Sequence, residues 1–168
     1  MNTGQMMIGI AALGLVAFII LNFSSSSLST QDSIIYSKEF IVATTLAQST
    51  LDEISDKFFD EAVAEGKTIK SEKDFSSTLG ADASEVYPNF DDVDDYNNFN
   101  ITEIIPQMGE FTVSVQVEYM TDGLVKSGTK TYNKNVTIYV TSPTLYNYYS
   151  EKPDTLVLSS LFSKWTIL

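Results

Sequence analysis

The sequence predicts an α+β fold in which a long N-terminal hydrophobic helix continues into an amphipathic helix packed on a C-terminal antiparallel β-meander. Three observations lead to this class: an uncharged apolar N-terminal segment, apolar residues at helical spacing after it, and alternating apolar residues in the C-terminal third. The 168 residues suffice for one head domain with an appendage. We predict a hydrophobic helix over residues 1–29 and a head over residues 30–168.

The N-terminal segment is predicted to be one apolar helix. Residues 1–31 contain no charged side chain, and residues 6–23 read MMIGIAALGLVAFIILNF, apolar around the whole helical circumference. As a helix this stretch spans roughly 27 Å, comparable to the hydrocarbon core of a bilayer. Such a surface must lie in lipid or inside a protein assembly. Met6, Leu13, Leu15, Phe18 and Ile19 are therefore candidates for an assembly core.

Three interpretations of this helix compete. A secretory signal peptide carries a positive first region and small residues at its cleavage site, whereas here the first Lys is Lys38 and Asn22-Phe23 closes the apolar run. A simple membrane anchor explains the length but not the missing positive charge beside the span. The favoured interpretation is a helix that spans a membrane before assembly and lines a filament core afterwards. Its small residues would allow close helix approach: Gly9, Ala11, Ala12, Gly14 and Ala17.

A run of four serines, Ser24 to Ser27, follows the apolar stretch. Serine is a poor helix former because its hydroxyl competes for backbone hydrogen bonds. The run is predicted to be either a hinge within one long helix or a plain polar linker.

Residues 30–64 are predicted to form the amphipathic part of the helix. Gly66 then supplies a stop signal. The carboxylates of Asp52, Glu53 and Asp56 are interpreted as a solvated helix face rather than as a functional site. The apolar residues recur close to helical spacing: Ile34, Ile41, Leu46, Leu51, Ile54, Phe58 and Ala62.

An acidic segment precedes the strands, and no basic residue lies between Lys73 and Lys126. Hard oxygen ligands packed closely are able to bind Ca²⁺, although the spacing here lacks the central Gly and the terminal Glu of an EF-hand. The favoured alternative is a solvated acidic loop with Asp and Asn turn chemistry. The four aspartates concerned are Asp91, Asp92, Asp94 and Asp95.

The C-terminal third is predicted to be an antiparallel sheet. Residues 111–119 alternate strictly and place Phe111, Val113, Val115, Val117 and Tyr119 on one face. A second strand covers residues 134–141 and is expected to end at Pro143. A Tyr-rich loop at 146–153 and a third strand at 155–161 follow. Consecutive strands imply a meander, with one face packed on the amphipathic helix.

Two triplets in this part of the chain match the acceptor pattern for N-glycosylation. They begin at Asn100 and Asn135, and Asn135 lies within the predicted second strand. The triplet is a weak signal by itself.

The composition argues against several functions. The chain has no Cys, His or Arg, which excludes disulfides and thiolate metal sites and removes the commonest general base. Ten Lys face 22 acidic residues, for a formal net charge of −12, so the basic stripe needed for nucleic-acid binding is missing. The sequence offers no nucleophile–base arrangement, and we predict that the protein is not an enzyme.

Several strings resemble type IV pilins and the pseudopilins of type II secretion. Residues 43–54, ATTLAQSTLDEI, resemble the LAQ…LEEI segment of minor pilins and pseudopilins. Residues 90–96, FDDVDDY, resemble a stretch in minor pilins of mannose-sensitive haemagglutinin-type pili. Residues 134–140 and 154–161 resemble the paired C-terminal strands of the same proteins. The resemblance covers most of the chain, and the order of elements agrees with it.

The resemblance implies a structural subunit of a pilus-like filament, inserted in the cytoplasmic membrane before assembly and displayed at the cell surface afterwards. The implied partners are further copies of the chain in a helical homopolymer, other pilins and the pilus assembly platform. The families have a Glu five residues into the mature chain that pairs with a neighbour's N-terminal amine. Counted from Met1, that position holds Gln5, which would hydrogen-bond an amine without charge assistance. Cleavage at Gly4-Gln5 would place Gly9 there instead.

One alternative function remains open at this point: a single-span membrane-anchored pseudopilin or binding module of a secretion machine. A chain shortened to begin near Thr30 separates the two. A filament subunit would become monomeric, whereas a binding module would keep its ligand affinity.

Overall fold

A computed structural model describes residues 2–82, 85–147 and 152–165 and has the predicted α+β architecture, a long helix packed on an antiparallel sheet. The helices are α1 (Thr3–Ser55) and the short α2 (Glu61–Ala64), and 3₁₀ turns cover Glu72–Asp74 and Asp94–Tyr96. The strands are β1 (Asn100–Ile105), β2 (Gly109–Met120), β3 (Asn133–Asn147) and β4 (Lys152–Ser163). They lie in the order β1-β2-β3-β4, as a meander requires.

Helix α1 is continuous over 53 residues and includes the serine run. At about 1.5 Å per residue it is roughly 80 Å long. Hydroxyl groups in this region donate to carbonyls one turn earlier, as Thr30 does to Ser26 at 2.9 Å and Ser33 does to Ser29 at 3.0 Å. The backbone itself shows no break at residues 24–27, which lie within α1.

Helix α1 ends at Ser55, earlier than the predicted end at residue 64. The chain leaves the helix because Phe58 pairs with the acidic segment: its N–H donates to the Asp91 carbonyl at 3.0 Å, and its own carbonyl accepts from Val93 at 2.9 Å. Phe59 and Asp60 become buried in consequence, and α2 starts directly after Asp60. Apolar spacing alone does not reveal this exchange of a helical bond for a β-bridge.

The sheet has one strand more than predicted, because β1 precedes the strictly alternating strand. All six residues of β1 are exposed or half-buried, so the strand lacks the alternation that marks a half-buried strand. The turn into β2 uses the left-handed backbone region at Gln107 (φ 68°) and Gly109 (φ 97°). Residues 100–105 pair with residues 109–114 of β2.

Strand β3 continues past Pro143, which was predicted to end it. The strand absorbs the proline at an irregularity, where the β3–β4 register shifts between Thr141 and Tyr146. Only then does β3 end, at Asn147. The predicted Tyr-rich loop is therefore shorter than residues 146–153, and residues 148–151 of it lie outside the described residues.

The core lies between α1 and one face of the sheet. The predicted inward face of β2 is confirmed, since all five of its alternating apolar residues are buried. Helix α1 contributes Ala43, Ala47 and Ile54 and packs mainly across β3 and β4. Each large apolar side chain buried here stabilises the fold by about 1.5–3 kcal/mol. A smaller second cluster joins Phe59, Phe75 and Tyr119 at one end of β2.

Candidate assembly surface and buried charge cluster

The N-terminal part of α1 is an apolar surface without cover. All residues from 2 to 31 are exposed. The helix is long and apolar enough to cross a membrane, and none of its most apolar 18-residue window is buried in the structure. The predicted assembly residues all belong to this surface: Gln5, Met6, Gly9, Leu13, Leu15, Phe18 and Ile19.

The head begins to cover α1 near Tyr36. The Tyr36 hydroxyl donates to Asp154 Oδ2 of β4 at 2.7 Å, and Glu39, one turn further, is buried against the sheet. A single helix is therefore shared between an uncovered apolar stalk, residues 2–31, and a packed head. Because α1 has no break between the stalk and the head, the position and direction of the stalk fix those of the sheet.

The uncovered surface is far larger than a soluble monomer exposes. Leu15 is 61% exposed and Ile19 is 55% exposed, and their apolar neighbours are exposed to similar extents. Contiguous apolar patches beyond a few hundred Å² mark interaction or membrane surfaces. The stalk thus requires lipid or other apolar helices around it, which makes membrane insertion and helical assembly the two chemically reasonable uses.

Glu39 is a buried carboxylate at the junction of α1 and the sheet. It lies in helical phase with Ala43 and Ala47 of the core. Burial raises its pKa, and a hydrogen bond from Thr144 of β3 acts in the opposite direction. Its second oxygen, Oε2, has no hydrogen-bond partner among the described residues.

The acidic segment is largely an interior feature, which corrects the expectation of a solvated loop. Asp92, Asp94 and Asp95 are buried and only Asp91 is exposed. Asp92 Oδ1 accepts the Asp95 N–H at 3.1 Å, while Asp95 Oδ2 accepts the N–H groups of Asp91 at 3.1 Å and Asp92 at 3.3 Å. These carboxylates hold the turn by hydrogen-bonding its backbone, so they face inward rather than water.

Lys134 of β3 supplies the cation for this interior. Its side chain is fully buried, and Nζ contacts the carboxylate oxygens of Asp94 (Oδ1) and Asp60 (Oδ2, at 3.0 Å) as well as the Phe59 carbonyl at 2.7 Å. The ring centroids of Phe59 and Tyr119 lie 4.6 Å and 5.2 Å from Nζ. The ammonium is thus held between two carboxylates and two aromatic faces.

Asp60 is fixed on every side. Its Oδ1 accepts from the N–H groups of Ala62 at 3.1 Å and Ser76 at 3.0 Å, and its Oδ2 accepts from the Tyr119 hydroxyl at 3.0 Å. Asp60 also caps α2, because it precedes the first residue of that helix. The residue therefore joins α2, the loop at Ser76 and strand β2 at one carboxylate.

Burial sets the protonation of the aspartates. Burial, together with the nearby carboxylates of Asp94 and Asp95, raises the pKa of Asp92 to about 9. Burial also raises the pKa of Asp94 to about 6, although Lys134 opposes the shift. At neutral pH the interior consequently holds Asp92 as a neutral acid beside the Lys134–Asp94 pair.

The structure splits the four aspartates predicted for calcium. Asp91 and Asp92 have oxygen atoms within 4.8 Å of Glu61, and Asp91 and Asp95 meet Glu85 in the same way, whereas Asp94 lies with Lys134. Burial raises the pKa of Glu85 to about 7, so this group is partly protonated at neutral pH. Calcium binding stays a prediction of the sequence.

The two asparagines of the glycosylation triplets lie on the sheet. Asn100 is exposed at the start of β1, and its Nδ2 donates to Ser114 Oγ at 2.8 Å. Asn135 is half-buried in β3, where its Nδ2 donates to Thr137 Oγ1 at 2.9 Å and its Oδ1 accepts from Ser159. Their modification also stays a prediction.

Three further charged residues, Lys134, Asp60 and Glu39, are buried in addition to the aspartates of the turn, and the sequence patterns did not single them out. A signal for Lys134 was present: it shares the strand phase of Val136, Ile138 and Val140, which places its side chain on the inward face. A charged side chain is usually expected to point outward, but the alternation of residues along β3 predicts the inward position of Lys134 correctly.

Comparisons with known proteins add no relative: no family model, no curated protein and no solved structure matches this chain.

Proposed function

We propose that this chain is a structural subunit of an extracellular pilus-like filament that polymerises through its N-terminal helices. One observation carries the proposal: residues 2–31 of α1 form an uncharged, uncovered helix that continues without a break into a folded head. A signal peptide needs no rigid connection to the domain behind it. Here the stalk and the head share one helix, so the stalk holds the head at a fixed distance from an apolar filament core.

Within the membrane, assembly is driven by packing of stalk helices against one another, because lipid tails are as apolar as the stalk. Once the filament leaves the membrane, these contacts keep the stalk out of water, and at about 25 cal/mol per Å² of apolar area this burial amounts to tens of kcal/mol before ordering costs. Small side chains improve the fit, since a Cβ added at Gly9 or Gly14 meets no atom within 4 Å in the isolated chain. Neighbouring helices have room to approach closely at these points.

The head supports an open polymer rather than unspecific aggregation. The formal net charge of −12 lies entirely beyond residue 31, so heads repel one another except where contact is specific. A heterologous contact repeated by a helical operation leaves both ends open and produces a filament. The stalk spans the cytoplasmic membrane before assembly, and the head reaches the cell surface as the filament grows. The proposed role is structural and requires no catalysis.

The test introduces charge into the stalk. Leu15→Asp and Ile19→Asp are expected to abolish filaments, because an unpaired carboxylate in an apolar core is strongly disfavoured. The near-ultraviolet circular dichroism of the head should stay unchanged, since both positions are remote from its core. Leu15→Ile and Ile19→Leu are the matched controls and should retain filaments, which are counted by electron microscopy of material sheared from cells. Normal filaments from the Asp variants would contradict the proposal.

A second candidate is a single-span membrane-anchored module of a secretion machine, since the same helix is long and apolar enough to cross a bilayer. Shearing distinguishes the two. A filament subunit appears in the sheared fraction as ordered polymers whose core contains the stalk helices. An anchored module remains in the membrane fraction, and no polymer is released.

A further inference from the structure

The pairing of Lys134 with Asp94 has the features of a reactive pair. Both side chains are almost wholly enclosed, with Lys134 0% and Asp94 2% exposed, and Nζ is in direct contact with Asp94 Oδ1. A nitrogen in hydrogen-bond contact with a carboxyl oxygen lies about 3.5 Å from the carboxyl carbon, the limit of a near-attack geometry. The amine and the carboxyl are therefore within reach of each other.

We propose that Lys134 Nζ and the Asp94 side chain condense into an intramolecular amide bond that links strand β3 to the 3₁₀ turn at Asp94–Tyr96. This bond is a modification of the head and goes beyond the proposed filament function. It needs no partner, cofactor or enzyme, because both reacting groups and a proton acceptor lie in the same enclosed site.

The reaction balances with the groups present. One ammonium proton of Lys134 passes to an Asp94 oxygen, which leaves a neutral amine and a neutral carboxylic acid. The nitrogen lone pair forms a bond to Asp94 Cγ, and a second nitrogen proton passes through Asp60 Oδ2, 3.0 Å from Nζ, to the departing hydroxyl. The C–O bond breaks and one water leaves. The third proton stays on the amide nitrogen, the opposite charges of the pair cancel, and Asp60 is regenerated.

Asp94 is the carboxyl that reacts, and Asp60 is the one that moves the proton. Asp60 accepts hydrogen bonds from the N–H groups of Ala62 and Ser76 and from the Tyr119 hydroxyl, all of which stabilise its anionic form. The Asp94 side chain contacts Lys134 and the carboxyl of Asp92. Among the described residues no backbone N–H donates to it, so Asp94 lacks the donors that stabilise the charge of Asp60 and would oppose conversion to an acid.

Burial favours the amide over the ion pair. Two charges withdrawn from water carry a desolvation cost of several kcal/mol each, which their attraction only partly offsets. An amide is neutral and accepts hydrogen bonds without that cost. The rings of Phe59 and Tyr119 cover the site and restrict the entry of water. Once the released water has left, little water can return to hydrolyse the amide.

The amide bond would stabilise this head as a disulfide stabilises other proteins, by a covalent link between distant parts of the chain. The chain has no Cys, so disulfides cannot form. Lys134 and Asp94 are 40 residues apart in sequence, and a link between them fixes the irregular connection between α1 and β1 to the centre of the sheet. Constraining a loop of this length limits the conformations of the unfolded chain and so stabilises the head.

The test is mass spectrometry of the denatured full-length chain and of its proteolytic peptides. The expected result is one branched species that contains the peptide with Asp94 and the peptide with Lys134 and is lighter than their sum by one water. Fragmentation should locate the branch at these two side chains. Recovery of the two peptides as separate linear species from the natural chain overturns the proposal, and a branch at Asp60 overturns the assignment of Asp94.

Variants separate the bond from other losses of water. Lys134→Arg should give only linear peptides at the full calculated mass. Lys126→Arg is the matched control: Lys126 also contacts a carboxylate, Glu118, but at the surface, so the branched species should persist. Because the decisive comparison uses the natural chain, the proposal stays testable if Lys134→Arg folds poorly. Persistence of the branch in Lys134→Arg would also overturn it.

Discussion

Lys134 shows how one inward charge organises the acidic part of the chain. Asp60 and Asp94 contact its Nζ, and Asp92 and Asp95 fold the turn around it. The carboxylates outnumber the cation, so full ionisation would leave excess negative charge inside the head. Burial therefore keeps Asp92 protonated, and its neutral carboxyl avoids repulsion with Asp95. Loss of this proton at high pH therefore destabilises the turn.

The proton on Asp92 makes the stability of the head depend on pH. Its pKa is about 9 in the folded chain, against about 3.9 for an unfolded Asp. Between these values the folded state binds a proton that the unfolded state has released, so the free energy of unfolding falls as pH rises. The slope from this group is at most about 1.4 kcal/mol per pH unit. The full-length chain in detergent should therefore melt at a higher temperature at pH 5 than at pH 8.

Asp92→Asn removes this dependence, because the amide imitates the neutral acid at every pH. The variant is expected to melt at a higher temperature than the natural chain at pH 8 and to show a flatter pH profile. The Tyr and Trp bands of the near-ultraviolet circular dichroism follow the melting of the head, because residues 2–31 contain neither Tyr nor Trp. Asp52→Asn, at an exposed position of α1, is the control and should keep the natural slope. An identical pH profile for Asp92→Asn and the natural chain would refute the buried-acid assignment.

At the scale of elements, a helix or strand could be predicted from the sequence where one local pattern, such as alternation or the absence of charge, runs through the whole element. Strand β2 was predictable because five alternating apolar residues fill one face of it, and the stalk because it carries no charge. Strand β1 was not predictable, since an edge strand without a buried face shows no alternation of apolar and polar residues. The end of α1 depends on a bridge between Phe58 and Asp92, two residues distant in sequence, and no local pattern encodes such a pairing.

The candidate sites divide in the same way. The assembly surface was predictable because it is a local run of apolar residues whose exposure follows from their composition. The charge cluster was not, because its members come from four separate places in the chain, at Asp60, Ser76, Asp94 and Lys134. The strand phase of Lys134 indicated an inward side chain, but its partners are fixed only by the tertiary fold.

Gly9 tests whether the stalk functions through close helix packing. Gly9→Ala should leave filaments intact, because one methyl group is small and Ala favours a helix over Gly by about 1 kcal/mol. Gly9→Leu should reduce filament yield strongly, since the larger side chain separates neighbouring helices. Neither change should alter the isolated chain, in which no atom lies within 4 Å of a Cβ at this position. Filament counts are the measurement, and equal yields for Ala and Leu would contradict close packing at Gly9.

At the scale of the whole molecule, the chain combines an apolar surface that must be kept out of water with an acidic surface that favours water. The stalk is uncharged through residue 31, whereas every ionisable side chain belongs to the remainder. The two surfaces share α1, so the boundary between them is a position along one helix rather than a linker. Association and solubility are therefore separable by cutting that helix, provided the cut leaves the core of the head complete.

A chain that begins at Thr30 meets that condition. The residues of the main core cluster start at Tyr36, so the shortened chain keeps each of them together with the whole described sheet. It is expected to be soluble without detergent and monomeric by light scattering, because the apolar surface is gone while the acidic head remains. Its near-ultraviolet circular dichroism should match that of the full-length chain in detergent, which establishes that the head is folded. A folded, shortened chain that still formed large polymers would place the assembly contacts in the head and would overturn the role assigned to the stalk.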